Sequence, residues 1–486
     1  MKRSHWIMGL IGLLLLSLSV WQILAAAQGL EVTTLHSSQP PLTVMIPEGT
    51  ADESRPVVLV GHGFAGSTAV MRGFGLTLAH AGYQVVLWDF DGHGANPRPL
   101  PSDGLEKNAE TALKVAEAQR LINPAGIAIL GHSMGSGVAL TYGMTHPETA
   151  VTILVSPVDR EVTPDLPRNL LLMAGSLETR FADRAEDLLA EAGGPRRDPA
   201  AGTGRKLVII PGVEHISILF SPATHAAARD WLDATFSPQP GASDYTDRRV
   251  LWYALEVLGA FLIGAALAPL VAESSPATKS TRPLWHRLAA MAGGSLGATL
   301  LLWLVGQVGL ELHETFGLLV GGYIILWFGI AGILSLLLLW ERINWPSWSD
   351  MLGGLMAFAV LWLGVGLVGQ SVWQVWLLIP PRLKHWPLSA LLLLPWFLAF
   401  GKMTQGVKPL GRMGWWLGCS AALAGGLFLA LRITPGLGFI MILIPLFPII
   451  LGFHALAAAP HRRAWPFALS GALFVSWLLL AVFPLQ

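Results

Sequence analysis

Two kinds of hydrophobic pattern divide this chain. From residue 28 to about 248, short apolar runs at 42–46, 57–61, 83–89, 126–130, 150–155, 169–174 and 206–210 are separated by polar or glycine-rich stretches. Runs of four to eight Val, Ile and Leu residues predict strands. Stretches with helical spacing lie between several of them, at 69–81, 105–121, 134–145, 182–192 and 222–235. Strand and helix in alternation predict a mostly parallel sheet covered by helices, in which the first strands, before Gly61, form an antiparallel edge.

From Val250 onward the pattern changes to nearly continuous apolar sequence. About eight candidate spans are centred near residues 261, 300, 328, 361, 394, 421, 448 and 474, each about 17 to 25 residues long. The chain also begins with Lys2 and Arg3 followed by an apolar stretch from about Trp6 to Ala27, the form of a secretory signal. Ala25-Ala26-Ala27 fits a cleavage site, but a body of about 20 apolar residues is long enough to cross a bilayer and favours an uncleaved anchor. Three parts follow: an N-terminal signal anchor or signal peptide at 1–27, an α/β domain at 28–248 and an all-α multi-span region of about eight helices at 249–486.

Composition agrees, with 53% hydrophobic and only 13% charged residues. That is too apolar for a water-soluble chain of this length. The 31 Lys and Arg balance the 31 Asp and Glu, and no basic cluster marks a nucleic-acid partner. The single cysteine, Cys419, excludes an intramolecular disulfide and any C-x-x-C site. No metal or cofactor is implied, and the oligomeric state is left open.

Basic residues also orient the spans. With Lys2 and Arg3 in the cytoplasm, the linkers bearing Lys279, Arg282 and Arg287, Lys402, Lys408 and Arg412, and Arg462 and Arg463 fall inside. Residues 28–248 then lie on the external side of a multi-pass cytoplasmic-membrane protein. Arg382, Lys384 and Arg432 are exceptions. Trp340, Trp345, Trp348, Trp373, Trp376 and Trp386 fall near span ends, where an indole suits the headgroup level. Within the spans ionisable groups are few: Glu256, which can simply reach the outer interface, and His454. A transporter needs more of them.

The chemistry lies in the α/β part. Ile127-Ala128-Ile129-Leu130 runs into Gly131-His132-Ser133-Met134-Gly135, a G-x-S-x-G turn at the end of a strand. A serine on a sharp strand-to-helix turn is exposed as a nucleophile, and the two glycines let neighbouring chain pass without Cβ clashes. A serine alkoxide needs a base, and the base needs a carboxylate to fix its tautomer. After 169–174 comes Gly175-Ser176-Leu177-Glu178, and after 206–210 comes Pro211-Gly212-Val213-Glu214-His215. Ser133, Glu178 and His215 therefore appear in the order nucleophile, acid, base. Asp159, just after Val155-Ser156-Pro157, is an alternative acid. The turn Gly61-His62-Gly63-Phe64-Ala65-Gly66-Ser67 can aim the Phe64 N–H at an oxyanion together with the N–H of Met134. His62, His93 and His132 are other histidines beside motif glycines, where packing or turn hydrogen bonding is expected, as it is for Asp89 and Asp91.

On these residues the chain resembles the α/β-hydrolase family over about 30–236: the elbow around Ser133, the His62-Gly63 turn, the run Asp89-Phe90-Asp91-Gly92-His93-Gly94, the loop ending at Glu178, and His215. The resemblance implies an α/β-hydrolase fold and a serine hydrolase acting through an acyl-enzyme. It departs from the family in carrying Glu where Asp is common, and in having only about 14 residues, 156–169, where relatives insert a helical cap. The serine pocket is expected to be open, or covered by the membrane region or bilayer surface, which favours a lipid-like or acylated ester as substrate. Amide or peptide cleavage and acyl transfer use the same three residues. The remaining alternative is a transporter or scaffold with a hydrolase-like binding domain.

Overall fold

A computed structural model describes residues 2–196, 198–270, 280–373, 375–405, 407–461 and 463–486. Lys279 and Arg462, named in the charge pattern, lie outside the described residues. The chain divides into two compact units, one of Ser19–Ala254 with Gly369–Val375, the other of Met1–Leu18, Leu255–Val368 and Trp376–Gln486.

After the apolar helix α1 (Arg3–Ala25), the first unit lays down β1 (Leu30–Leu35), β2 (Leu42–Pro47), β3 (Arg55–Gly61), α2 (Arg72–His80), β4 (Gln84–Trp88), α3 (Glu106–Ala118), β5 (Pro124–His132), α4 (Met134–Thr145), β6 (Thr149–Val155), β7 (Leu170–Gly175), α5 (Thr179–Glu191), β8 (Arg205–Ile210) and α6 (Pro222–Phe236). The strands form one sheet in the order β1-β2-β4-β3-β5-β6-β7-β8. β2 pairs antiparallel with β1 and β4, and every other pair is parallel. The antiparallel edge is therefore β1 and β2, whereas β3 is a central parallel strand. β1 is absent from the sequence pattern because Leu-Glu-Val-Thr-Thr-Leu is only half-buried.

Side chains on a strand alternate between faces, so one strand feeds two cores. Val57, Leu59, Val86, Trp88, Leu170 and Leu172 enter one buried cluster, while Val58, Val60, Val85, Leu87, Leu171 and Met173 enter the other. Burial on both sides is why these strands read as unbroken apolar runs. Truncating a central side chain such as Leu172, which has no exposed surface, to Ala is expected to cost about 2–5 kcal/mol. The register places Gly61 of β3 beside Gly131 of β5, His132 beside Val155 of β6, and Gly175 of β7 beside Ile210 of β8. The strands thus end together, and the loops that follow them emerge at one rim of the sheet. Between β6 and β7 the chain from 156 to 169 forms no helix, so this unit has no inserted cap there.

The second unit is helical: α7 (Arg249–Leu267), α8 (Leu284–Gly306), α9 (Gly321–Leu339), α10 (Trp348–Val372), α11 (Pro380–Leu383), α12 (Trp386–Thr404), α13 (Pro409–Ile433), α14 (Ile440–Leu443), α15 (Leu446–Ala457) and α16 (Ala464–Val482). Counting α1, eight helices among the described residues are long and apolar enough to cross a membrane. The span expected near residue 448 is instead broken into α14 and the 12-residue α15, with Pro445 between them. Twelve residues rise about 18 Å, short of the roughly 30 Å hydrocarbon thickness.

Small residues let these helices approach closely. Gly294 of α8 lies against Ala331 and Ser335 of α9, Gly332 of α9 against the Pro395 and Trp396 backbone of α12, and Gly471 of α16 against Phe397. Trp327, Phe328, Trp396, Phe397 and Phe400 fill the core. Three sequence expectations change here. Arg382, an exception to the basic-residue pattern, is buried and donates to the carbonyls of Leu480 and Phe483, so it is a packing group rather than a loop charge. Glu256, expected to be free to extend outward, is instead packed within the protein, 2% exposed. Trp340, Trp345 and Trp348 are exposed at helix ends as expected, but Trp376 is buried and Trp373 packs on the core of the α/β unit.

Candidate active site

One residue makes the turn between β5 and α4. Ser133 has φ 52° and ψ −117°, a backbone conformation that costs a non-glycine residue on the order of 1–3 kcal/mol. The surroundings hold it there: its N–H donates to the Val155 carbonyl at 2.9 Å, and its carbonyl accepts from the Ser136 N–H at 2.8 Å and the Ser136 hydroxyl at 2.6 Å. Both motif glycines are required by space. A Cβ on Gly131 would overlap the Gly135 carbonyl, and one on Gly135 would stand 2.5 Å from the His62 carbonyl oxygen.

His215 sits in the loop after β8. The Glu214 carboxylate folds back to accept the N–H groups of Ile216 and Ser217 at 2.9 and 2.8 Å, which fixes that loop. The imidazole Nε2 lies 3.1 Å from Ser133 Oγ, and Nδ1 lies 2.8 Å from Glu178 Oε2. A carboxylate only accepts, so Nδ1 carries the proton and Nε2 is left to accept from the serine hydroxyl. The Phe181 ring stacks on the imidazole, with centroids 4.2 Å apart. Glu178, 7% exposed, follows β7; its other oxygen accepts the Gly175 N–H at 2.6 Å and the Ser156 hydroxyl at 2.7 Å. With three donors on the two oxygens, the buried carboxylate is well satisfied.

The glycine-rich turn after β3 runs directly against the serine. A Cβ on Gly63 would fall 3.3 Å from Ser133 Cβ and 2.8 Å from His132 Nδ1. The next residue is Phe64, and Met134 opens α4, where the first N–H groups have no partner within the helix. The turn closes with a Gly66 N–H to Gly63 carbonyl bond of 3.0 Å. Just beyond it, the buried Ser67 hydroxyl accepts from the Ala69 N–H and donates to the main-chain carbonyl of Trp373 at 2.9 Å.

The other histidines serve backbone positions. His62 donates from Nδ1 to the Gly63 carbonyl at 2.7 Å and accepts the Phe90 N–H on Nε2 at 3.1 Å. Burial lowers its pKa, partly opposed by Asp89. His132 donates from Nε2 to the His215 carbonyl at 3.0 Å. Burial, then the neighbouring His215, hold its pKa well below the usual 6.5. His93 donates from Nδ1 to the Asp91 carbonyl at 2.9 Å. Asp89 accepts the Thr68 and Ala95 N–H groups, and Asp91 accepts from Asn96 and Asn108. Asp159 is far more open, its side chain 82% exposed and paired with Arg184 at 3.0 Å.

The structure therefore brings Ser133, His215 and Glu178 into one hydrogen-bonded run and leaves Asp159 out of it. The structure adds Ser156, Phe181, Glu214 and Trp373, whose contacts support the site or the turns beside it. Of these, Ser156 carries a legible signal, since it directly follows the apolar run of β6 at the same rim; its φ is 50°. Among the described residues, Glu311, His313 and Glu314 hold ligand-type atoms within 4.8 Å of one another, in the helical unit rather than around Ser133.

Residues 52–199 match the family model described as serine aminopeptidase S33. Two curated proteins of Mycobacterium tuberculosis, uncharacterized protein MT2364 of strain CDC 1551 / Oshkosh and uncharacterized protein Rv2307c of strain H37Rv, are each 32% identical to this chain. Each alignment of 183 residues covers 34% of this chain and 65% of the relative, so the chain spans just under two thirds of their length. Among solved structures, a soluble variant of monoglyceride lipase from Saccharomyces cerevisiae is similar at 15% identity and a TM-score of 0.32, covering 43% of this chain and 96% of that one. The family match over residues 52–199 takes in the elbow at Ser133, and together with the parallel sheet it gives this chain an α/β-hydrolase fold, followed by an all-helical region.

Proposed function

We propose that this protein is a membrane-anchored serine hydrolase that cleaves carboxylic esters through Ser133, His215 and Glu178. The observation that carries this reading is the unbroken run from Ser133 Oγ to His215 at 3.1 Å and on to Glu178 at 2.8 Å, built on a strained turn. His215 Nε2 takes the serine proton as Oγ attacks the ester carbonyl. Phe64 and Met134 N–H groups hold the oxyanion, aided by the positive end of α4. Collapse expels the alcohol, protonated by His215, and leaves an acyl group on Ser133. Water, deprotonated by His215, then attacks that acyl group and releases the acid. Glu178 keeps Nδ1 protonated throughout and stabilises the imidazolium.

A lipid-like or acylated ester is the proposed substrate class. Eight apolar helices and an uncapped connection between β6 and β7 support it. The basic residues at Lys2, Arg3, Arg282, Lys402 and Arg463 support an external α/β unit. Amide or peptide cleavage is a second reading, favoured by the aminopeptidase description of the matching family model.

Product analysis tests the reading. Purified full-length protein should release acid from acyl esters faster than from matched amides, with the rate lost in Ser133→Ala and His215→Ala. A faster amide rate supports the second reading, and unchanged ester turnover in either variant overturns both.

A further inference from the structure

Two cavities abut at one end of the helical unit, where α9 gives way to the loop at 340–347. One is polar, about 470 Å3, and lined by Glu341, Arg342, Lys402, Arg463 and the indoles of Trp345 and Trp465. Its neighbour is apolar, about 500 Å3, walled by Ile333, Leu336, Leu337 and Pro395. Trp340, Glu341, Arg342 and Ile343 line both, so the polar chamber continues into the apolar groove.

Charge is not balanced within the polar chamber. Lys402 Nζ lies 3.6 Å from Glu341 and donates to the Arg342 carbonyl at 2.8 Å. Arg463 faces the fully buried Asp350 at 3.2 Å. Those two cations are offset. The Arg342 guanidinium has no ion pair or hydrogen bond among the described residues, and leaves the chamber with an excess of one positive charge. Exposed Trp340, Trp345 and Trp348 surround this level, 76%, 89% and 88% accessible, as residues of a headgroup zone do. Leu337, 58% exposed on α9, faces the groove.

We infer that these joined cavities bind one anionic phospholipid, its phosphodiester on Arg342 and Lys402 and an acyl chain along Leu337 and Pro395. A phosphodiester carries the single negative charge that the chamber lacks, and a guanidinium binds it through paired N–H groups. The apolar groove opens from the same chamber, which suits an amphiphile and gives a free phosphate no use for that half. The inference rests on these helices crossing a bilayer and is independent of the chemistry at Ser133.

Native mass spectrometry of the delipidated full-length protein tests it, with phosphatidylglycerol, phosphatidylcholine, diacylglycerol and inorganic phosphate as separate probes. One phosphatidylglycerol per chain should be retained. Its affinity should fall at least tenfold in Arg342→Gln/Lys402→Gln and in Leu337→Trp, which fills the groove, while Arg432→Gln binds as the parent does. Each variant's melting temperature checks that it is folded. Equal retention of diacylglycerol, or parental affinity in either test variant, overturns the inference. Displacement of the lipid by inorganic phosphate, with Leu337→Trp unaffected, makes it a site for free anions and overturns it as well.

Discussion

The hydroxyl of Ser67 donates a 2.9 Å hydrogen bond to the main-chain carbonyl of Trp373, 306 residues further along the chain. Ser67 ends the turn that carries Gly63 and Phe64 past Ser133, and Gly369–Val375 belongs in space to the α/β unit. A segment read from sequence as a membrane-span end therefore braces the turn proposed to hold the oxyanion. The Tyr253 hydroxyl donates to the Ser371 carbonyl of the same segment at 3.3 Å.

Loss of this brace should act on kcat. Ser67→Ala removes one hydrogen bond from a buried site, leaves the Trp373 carbonyl without that donor, and should cost about 1–3 kcal/mol of stability. Ester turnover should fall about 3- to 30-fold with KM little changed, because an oxyanion contact strengthens only in the transition state. A rise in KM at constant kcat would assign Ser67 to substrate binding instead.

Glu178 and Asp159 separate cleanly by substitution. Glu178→Gln keeps the shape but no longer enforces the Nδ1–H tautomer of His215, and kcat should fall on the order of 10²- to 10⁴-fold. Asp159→Asn removes only an exposed pair with Arg184 and should change neither kcat nor stability beyond about 0.5 kcal/mol. Steady-state rates of the two proteins side by side decide between the acids.

Ser156 is expected to be a positioning residue. Its hydroxyl holds Glu178 Oε1 at 2.7 Å, so Ser156→Ala should lower kcat about 5- to 30-fold with KM nearly unchanged. Ser156→Thr, which restores a hydroxyl, should recover part of the rate. Equal loss in both would mean that packing at φ 50°, rather than the hydrogen bond, is what matters.

These residues show where sequence reading ends. Ser133, His215 and Glu178 are legible because each follows a glycine-marked strand end and a serine nucleophile demands the other two. The central strands are legible because both their faces are buried. β1 is not, since Leu30–Leu35 pairs at an edge with a half-polar surface. Trp373 and Phe181 are not legible either, because stacking and long-range hydrogen bonds depend on where loops meet in space. The broken segment from Ile440 to Ala457 has the apolarity of a span, and Pro445 alone hints at its division.

Acid should weaken the α/β unit through its buried histidines. His62, His132 and His225 all have lowered pKa values, with burial the largest cause in each. The unfolded chain takes up protons below the ordinary histidine value near 6.5, and the folded chain does so only at lower pH. Their contribution is therefore fully present above pH 6.5 and is lost as pH falls, by at most about 1.4 kcal/mol per unit for each group. His132→Gln, which keeps a donor for the His215 carbonyl, should show a shallower fall in melting temperature between pH 7 and 5. A fall as steep as the parent's would contradict the assignment of a neutral His132.

The nucleophile is tested most directly by covalent labelling of the full-length protein with a fluorophosphonate, followed by mass mapping of the modified peptide. The predicted result is a single adduct on Ser133, absent in Ser133→Ala and in His215→Ala while both variants remain folded. An adduct on another serine, or labelling that persists in both variants, would contradict it.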